Sequence, residues 1–277
     1  MVIREKYIFC ESWICKMERR LVVSRKSLIT MIKSGKDVAS SFLAELSYTI
    51  ENSQEGYIPS PTLKPSSIRC PRYAVMQVLK FPIDEEQRTE SSIGITECGT
   101  FTHEKMQEYC LKMKNWEYVN VAEYVREKHL QLDIVKEPDF ENGQYETKLY
   151  SNEYNMSFLC DGIVKNKKNG KYFVLEIKSI GNQGMYRLED IPEQYRDQAI
   201  SYSQLLEIPD VIFLFVNRDI YTKKSFLYTP SRDEIRHWQQ KIADCLMCIN
   251  LRVLPDIPPE ADNKFCRYCN MKTSCGR

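Results

Sequence analysis

Asp161, Glu176 and Lys178 are three residues whose types and spacing could do chemistry together. Glu176 and Lys178 stand in VLEIKS, and in an extended strand two such positions project to one face while Ile177 turns to the other. Asp161 closes the apolar run FLC fifteen positions before Glu176. The segment between them, NKKNGK, contains Asn169-Gly170, a hairpin signal because both residues tolerate positive φ. A hairpin would lay the strand holding Asp161 beside the strand holding Glu176. Two carboxylates converging from adjacent strands make a hard oxygen site suited to Mg²⁺ or Mn²⁺. Such a metal lowers the pKa of a bound water and neutralises phosphate charge, and a lysine beside it can orient or help deprotonate that water. Both polar sites interrupt strongly apolar strands, where an unpaired charge is costly to bury, which sets them apart from an ordinary solvated face.

Cysteines supply a second constellation. Cys266, Cys269 and Cys275 form C-x₂-C-x₅-C in a tail with few apolar residues of its own. A metal or cluster would staple such a tail, with a fourth ligand from elsewhere in the chain. Spacing alone leaves tetrahedral zinc and an iron–sulfur cluster equally open. Cys245 and Cys248 make a competing C-x₂-C, but they lie on the apolar face of a long helix and read as buried small hydrophobes. Cys10, Cys15, Cys98, Cys110 and Cys160 show no usable spacing. Between Lys264 and Arg277 the tail also holds Arg267 and Lys272 and no acid, a basic patch suited to phosphate contact. The Lys165–Lys171 hairpin is a weaker candidate of the same kind.

The elements that must position these groups follow from hydrophobic periodicity. KDVASSFLAELSYTIEN offers Asp37 as N-cap and a stripe of Val38, Phe42, Leu46 and Ile50, a packing helix in a helical N-terminal extension over residues 1–65. The proline-broken linker GYIPSPTLKPSS leads to a helix capped by Ser66 or Ser67 and carrying Cys70, with Pro71 in its first turn. Helices around THEKMQEYCLKM and VAEYVREKHL come next. Three strands follow: QYETKLY, MSFLCDGIVK and KYFVLEIKSI. A helix over EQYRDQAISYSQLL, a buried strand DVIFLFVN, a short strand SFLYT and the helix EIRHWQQKIADCLMCINL complete the order. This is the pattern of an α/β domain, a mixed sheet covered by helices.

Composition bounds the rest. With 277 residues, 43% hydrophobic and 28% charged, the chain has the makeup of a globular protein with a sizeable core. No apolar run is long enough to cross a bilayer, and the first residues lack a signal-peptide core, which places the chain in the cytoplasm. Eleven cysteines in a reducing compartment argue for metal ligation over disulfides. A net charge of +1 means that any nucleic-acid surface must be local. No Walker A motif is present, so a helicase activity would have to come from a partner.

CDGIVK followed by VLEIKS resembles the spaced Asp and Glu-x-Lys motifs of the RecB-type branch of the PD-(D/E)XK nucleases. GTFTHEKMQ resembles that branch's helical histidine motif, with His103 in the metal-ligand position, and QAISY its Gln-xxx-Tyr motif at Gln198 and Tyr202. The departure is the glycine usual before the aspartate, since here Gly162 follows it. SIRCPRYAV is similar to the lone upstream cysteine segment of the members with an iron–sulfur cluster, the AddB-like and CRISPR-adaptation exonucleases. The resemblance covers residues 66–277 and implies a restriction-endonuclease-like core, with a cluster-binding tail over 264–277 tied to the upstream helix. It implies Mg²⁺ or Mn²⁺ on His103, Asp161, Glu176 and the Ile177 carbonyl, and catalysis by Asp161, Glu176, Lys178, Gln198 and Tyr202. Gln198 would fix Lys178 or a DNA phosphate. Tyr202 would line the DNA path, with Lys264, Arg267 and Lys272 as further contacts. Cys70, Cys266, Cys269 and Cys275 would hold a [4Fe–4S] cluster, with Zn²⁺ as the alternative. Glu146 could assist, although a strand-surface carboxylate is the plainer reading. The expected activity is exonucleolytic, on DNA ends or single strands in recombination, repair or phage and CRISPR DNA processing, beside a helicase or recombination partner. The rival is an inert DNA-binding or scaffold subunit, disfavoured by the joint presence of all four motif residues. Polarity is not legible.

Overall fold

A strand that is apolar on both faces must lie inside a sheet covered on both sides. Val211–Asn217 is such a strand, with Val211, Phe213, Phe215 and Val216 all out of contact with solvent. The computed structural model describes residues 38–53, 60–84, 89–257, 265–266 and 269–276. In chain order it contains α1 (Val38–Asn52), α2 (Pro71–Val78), α3 (Glu90–Leu111), β1 (Trp116–Val119), α4 (Val121–Glu127), β2 (Asp133–Lys136), β3 (Thr147–Ser151) and β4 (Met156–Cys160). Then come β5 (Gly162–Asn166), β6 (Tyr172–Ile180), α5 (Asn182–Arg187), α6 (Arg196–Leu205), β7 (Val211–Asn217), β8 (Lys223–Tyr228), α7 (Arg232–Leu251) and α8 (Lys272–Cys275). These residues fall into two compact units, 38–53 with 89–94 and 60–84 with 95–276. In the first, α1 carries the expected stripe of Val38, Phe42, Leu46 and Ile50, and none of its residues is buried; Asp37 lies outside the described residues.

The second unit is a mixed sheet flanked by helices. Its strands run β1-β5-β6-β7-β8, with β6 and β7 parallel and the other neighbours antiparallel. A parallel pair needs a crossover connection, and α5 and α6 occupy it. On one face Ile163, Val174, Phe213 and Phe215 pack with Ala199 and Ile200 of α6 and Trp238 and Ile242 of α7. On the other, Val164, Phe173, Leu175 and Ile177 pack with Met106 and Cys110 of α3. Each buried Val, Leu, Ile, Phe or Met side chain among these contributes about 1.5–3 kcal/mol. A separate antiparallel sheet, β2-β3-β4, adds Leu149, Met156 and Phe158 to the first core. Helix ends are capped where the sequence provides for it: Asn120 Oδ1 accepts from Ala122 and Glu123 N–H, and Ser231 and Glu234 form a reciprocal capping box.

Three expectations need correction. The run MSFLCDGIVK is not one strand: it breaks at Asp161, with β4 in the small sheet and β5 in the large one. The residue after the break is sterically constrained. A Cβ at position 162 would sit 2.6–2.8 Å from the Tyr118 ring, so only glycine lets β5 start there. The β5–β6 connection is not a two-residue turn. Lys165 pairs with Tyr172, only Gly170 takes positive φ (+72°), and its N–H donates to the Asn166 carbonyl at 2.8 Å. The helix near Cys70 begins at Pro71, with Cys70 as its N-cap, because proline lacks the N–H that the first helical position leaves unused. Ser67 turns back instead to the Lys64 carbonyl. Strands β1 and β2 were not expected at all.

Gly162→Ala is expected to lower stability by about 1–3 kcal/mol, the usual cost of overpacking a filled site. Urea denaturation reads the loss, and the double variant with Tyr118→Leu should recover part of it.

Candidate active site

Asp161 is a single residue between two sheets, so no ladder satisfies its backbone. Its carbonyl instead accepts from Gln107 Nε2 at 2.7 Å and from Tyr118 Oη at 2.5 Å. The carboxylate is fixed at both oxygens. Ile177 N–H donates to Oδ2 at 2.7 Å, and His103 Nδ1 lies 3.2 Å from Oδ1. The β5–β6 pairing ends at Gly162–Leu175, so the Asp161 side chain supplies the acceptor that a continuing strand would have given Ile177. His103 and Gln107 are i and i+4 on α3, and this spacing aims both at the same residue.

Glu176 and Lys178 share the face of Val174, the face that looks onto α6. Lys178 Nζ is 2.5 Å from Glu176 Oε1 and donates to Gln198 Oε1 at 3.0 Å. Gln198 Nε2 donates onward to Tyr202 Oη at 2.8 Å, and Tyr202 donates to the Leu159 carbonyl at 3.1 Å. The Tyr195 ring lies 4.8 Å from Lys178 Nζ, a cation–π distance. Tyr202 is only 4% exposed, so the expectation that it lines a DNA path is corrected: its ring is core and its hydroxyl is committed to the chain that steers Lys178.

The electrostatics are those of a crowded anionic site. Burial raises the Glu176 carboxyl to about 7, Lys178 opposes the rise and the Asp161 charge adds to it. Glu176 is only 2% exposed, and its Oε2 is buried with no hydrogen-bond partner among the described residues, an orphaned anionic oxygen of the kind a divalent cation satisfies. Burial pulls the His103 imidazole down, but the hydrogen bond and charge of Asp161 outweigh it and leave the group above its ordinary value. Lys178 behaves likewise: burial lowers it, and Glu176 more than restores it.

His103, Glu146 and Asp161 offer ligand atoms that all lie within 4.8 Å of one another. Glu146 is the residue that sequence reasoning undervalued. It sits just before β3 rather than on a strand surface. Thr147 pairs with Cys160, so one step further Glu146 comes opposite Asp161, and the register of that hairpin was the missing signal. Gln107, Tyr118 and Tyr195 were also missed; only Gln107 had a local clue, its place one helical turn from His103.

The four singled-out thiols line one small cavity. Cys70 comes from the start of α2 and Cys266, Cys269 and Cys275 from the tail, with Tyr73, Met76 and Phe265 around them. Burial pushes the Cys70 thiol up, and the three other thiols add to the shift. Cys245 and Cys248 are buried as expected. Protein contacts hold the tail as well. The Asp84 carboxylate accepts from Lys272 N–H at 2.7 Å and Thr273 N–H at 3.2 Å, Ser274 Oγ donates to the Pro82 carbonyl at 2.6 Å, and the Arg69 guanidinium lies 4.0 Å over the Phe265 ring. Lys264 and Arg267 lie outside the described residues. Among the described residues no helix is long and apolar enough to cross a membrane.

No protein-family model and no curated protein matches the chain. Among solved structures it is similar to the crystal structure of SSO0001, at 15% identity over 87% of this chain and 97% of that one, with a TM-score of 0.43. It is also similar to LHK-Exo in complex with dAMP, at 11% identity over 69% and 89% (TM-score 0.43). A third similarity is to the alkaline exonuclease LHK-Exo from Laribacter hongkongensis, at 10% identity over 70% and 90% (TM-score 0.42).

A divalent ion placed on Glu176 should bind more tightly as pH rises through about 7, because the carboxyl must give up its proton before it can ligate. Calorimetry of Mn²⁺ binding in two buffers of different ionisation enthalpy measures the released protons. Affinity independent of pH, with no proton release, would remove Glu176 from the candidate ligands.

Proposed function

We propose that this chain is a divalent-metal-dependent deoxyribonuclease of the RecB-type PD-(D/E)XK kind, acting exonucleolytically on DNA ends or single strands. The observation that carries the reading is the orphaned, buried Glu176 Oε2 beside the doubly anchored Asp161 carboxylate and a paired lysine. A scaffold without chemistry gains nothing from burying these charges, which cost stability unless a cation or substrate meets them. The donor set is one imidazole and hard carboxylate oxygens, which fits Mg²⁺ or Mn²⁺. His103, Asp161 and Glu176 would hold the ion, with the Ile177 carbonyl as a further ligand. When bound, the ion supplies a water of lowered pKa and charge neutralisation at the phosphate.

The chain's own residues do the rest. Phosphodiester hydrolysis needs relief of the negative charge that grows on the phosphoryl oxygens. Lys178, kept protonated by Glu176, presents that positive charge. Gln198 and the Tyr195 ring hold its ammonium in place, and Tyr202 holds Gln198. Gln198 and Tyr202 are thus positioning residues in this reading. Lys272, with Lys264 and Arg267, would give the tail its phosphate contacts. Duplex unwinding, where the reaction needs it, would come from a helicase or recombination partner.

A Mn²⁺-dependent assay on end-labelled single- and double-stranded DNA tests the activity and reads its polarity. Asp161→Asn and Glu176→Gln are expected to abolish cleavage. Lys178→Ala should lose on the order of a hundredfold or more in turnover while keeping Mn²⁺ and DNA affinity. Cleavage by Lys178→Ala at the wild-type rate would overturn the Glu-x-Lys assignment, and a wild-type chain that binds DNA without cutting it would favour the scaffold reading.

The four thiols around one cavity support a [4Fe–4S] cluster on Cys70, Cys266, Cys269 and Cys275, with zinc as the alternative. It would close a loop of 196 positions (266 − 70), where a cross-link restricts the unfolded chain strongly. Protein purified without oxygen should be brown, with broad visible charge-transfer absorption and about four irons per chain by metal analysis. Colourless protein with one zinc would replace the cluster by a zinc staple, and protein with neither metal would remove the four-thiol site.

A further inference from the structure

The mechanism above leaves one carboxylate at the centre without a task. Glu146 is half-buried, and among the described residues its carboxylate makes no hydrogen bond and no ion pair. It is nonetheless placed by the strongest local device available, an antiparallel register. Five consecutive pairs from Thr147–Cys160 to Ser151–Met156 lock β3 to β4, and the next step of that register sets Glu146 against Asp161. Its oxygens and those of Asp161 lie within 4.8 Å of one another and of a His103 nitrogen. Two like charges at that distance disfavour each other, and burial adds to the cost. Burial and the Asp161 charge accordingly raise the Glu146 carboxyl, with His103 opposing them.

A second observation points to a ligand close by. Glu176 is not one of that group, but its Oε2 is buried with no hydrogen-bond partner among the described residues, and it exchanges charge effects with Asp161 and His103. Three carboxylates at −1 each give −3. Lys178 at +1 and a divalent ion at +2 give +3, so the centre is neutral with the ion bound.

We propose that Glu146 is a side-chain ligand of the divalent cation, binding it together with His103 and Asp161. The proposal rests on the metal-dependent reading above. It makes the centre richer in hard oxygen donors than the motif residues alone, which favours Mg²⁺ and Mn²⁺ over zinc.

Mn²⁺ titration of the full chain, following the electron paramagnetic resonance signal of the free ion, tests it without reference to cleavage. Glu146→Gln keeps the shape and removes the charge. It is expected to weaken Mn²⁺ binding on the order of tenfold to a hundredfold, and its metal-free melting temperature should not fall, since the substitution relieves repulsion. Asp161→Asn serves as the reference. Wild-type affinity in Glu146→Gln with binding lost in Asp161→Asn would overturn the role of Glu146 and leave the metal centre standing. Undiminished binding in Asp161→Asn would sink the centre itself. The unmutated chain provides an independent measurement: carbodiimide-driven labelling of carboxyls with glycine ethyl ester, located by mass spectrometry. Mn²⁺ should protect Glu146 from labelling, and labelling unaffected by Mn²⁺ overturns the proposal.

Discussion

The site depends on one backbone carbonyl. Asp161 is the link between two sheets, so its C=O finds no strand partner and must be satisfied from side chains. Gln107 on α3 and Tyr118 on β1 both donate to it. These two bonds fix the helix that carries His103 and the edge strand of the large sheet with respect to the aspartate. They also explain why Gly162 follows Asp161: the Tyr118 ring can reach that carbonyl only if position 162 has no Cβ. The geometry of the carboxylate end is therefore set by groups that never touch it.

At the other end the organising force is electrostatic. A fully buried glutamate is tolerated because Lys178 pairs with one of its oxygens, and the lysine in turn is stabilised by Gln198 and an aromatic face. The second glutamate oxygen is left open. Buried ion pairs are seldom retained for stability, since well-packed apolar residues serve as well or better. Here the pair leaves one anionic oxygen without a hydrogen-bond partner among the described residues, within reach of the Asp161 charge, an arrangement that makes sense as a receptor for positive charge.

Part of this arrangement is legible in the sequence. The Glu-x-Lys pair shares a face because strands have period two, and Gln198 and Tyr202 share one because helices have period 3.6. Cys70 and the three tail cysteines, singled out by spacing and resemblance, line one small cavity. What was not legible is what long-range register decides. Asp161 lies in an apolar run that reads as one strand, and the bend depends on Tyr118, 43 residues away. Glu146 looked like a surface residue because its neighbour across the hairpin is known only once Thr147 is paired with Cys160. Tyr202 shows the opposite error: its motif position was recognised, but its burial depends on how α6 packs against β4.

The one-residue crossing at Asp161 also decides where the chain can change length. An extra residue there would shift β5 by one position and exchange the faces of Ile163 and Val164, which now belong to opposite cores. The exposed loop between Asn166 and Tyr172 meets the body of the fold through Lys171 on Asp210 and Lys167 N–H on the Asn115 carbonyl, and a residue added at its tip, between Lys168 and Gly170, shifts no strand. Along the strand pair that carries the site, one end is fixed in length to the residue, and the other is open to insertion.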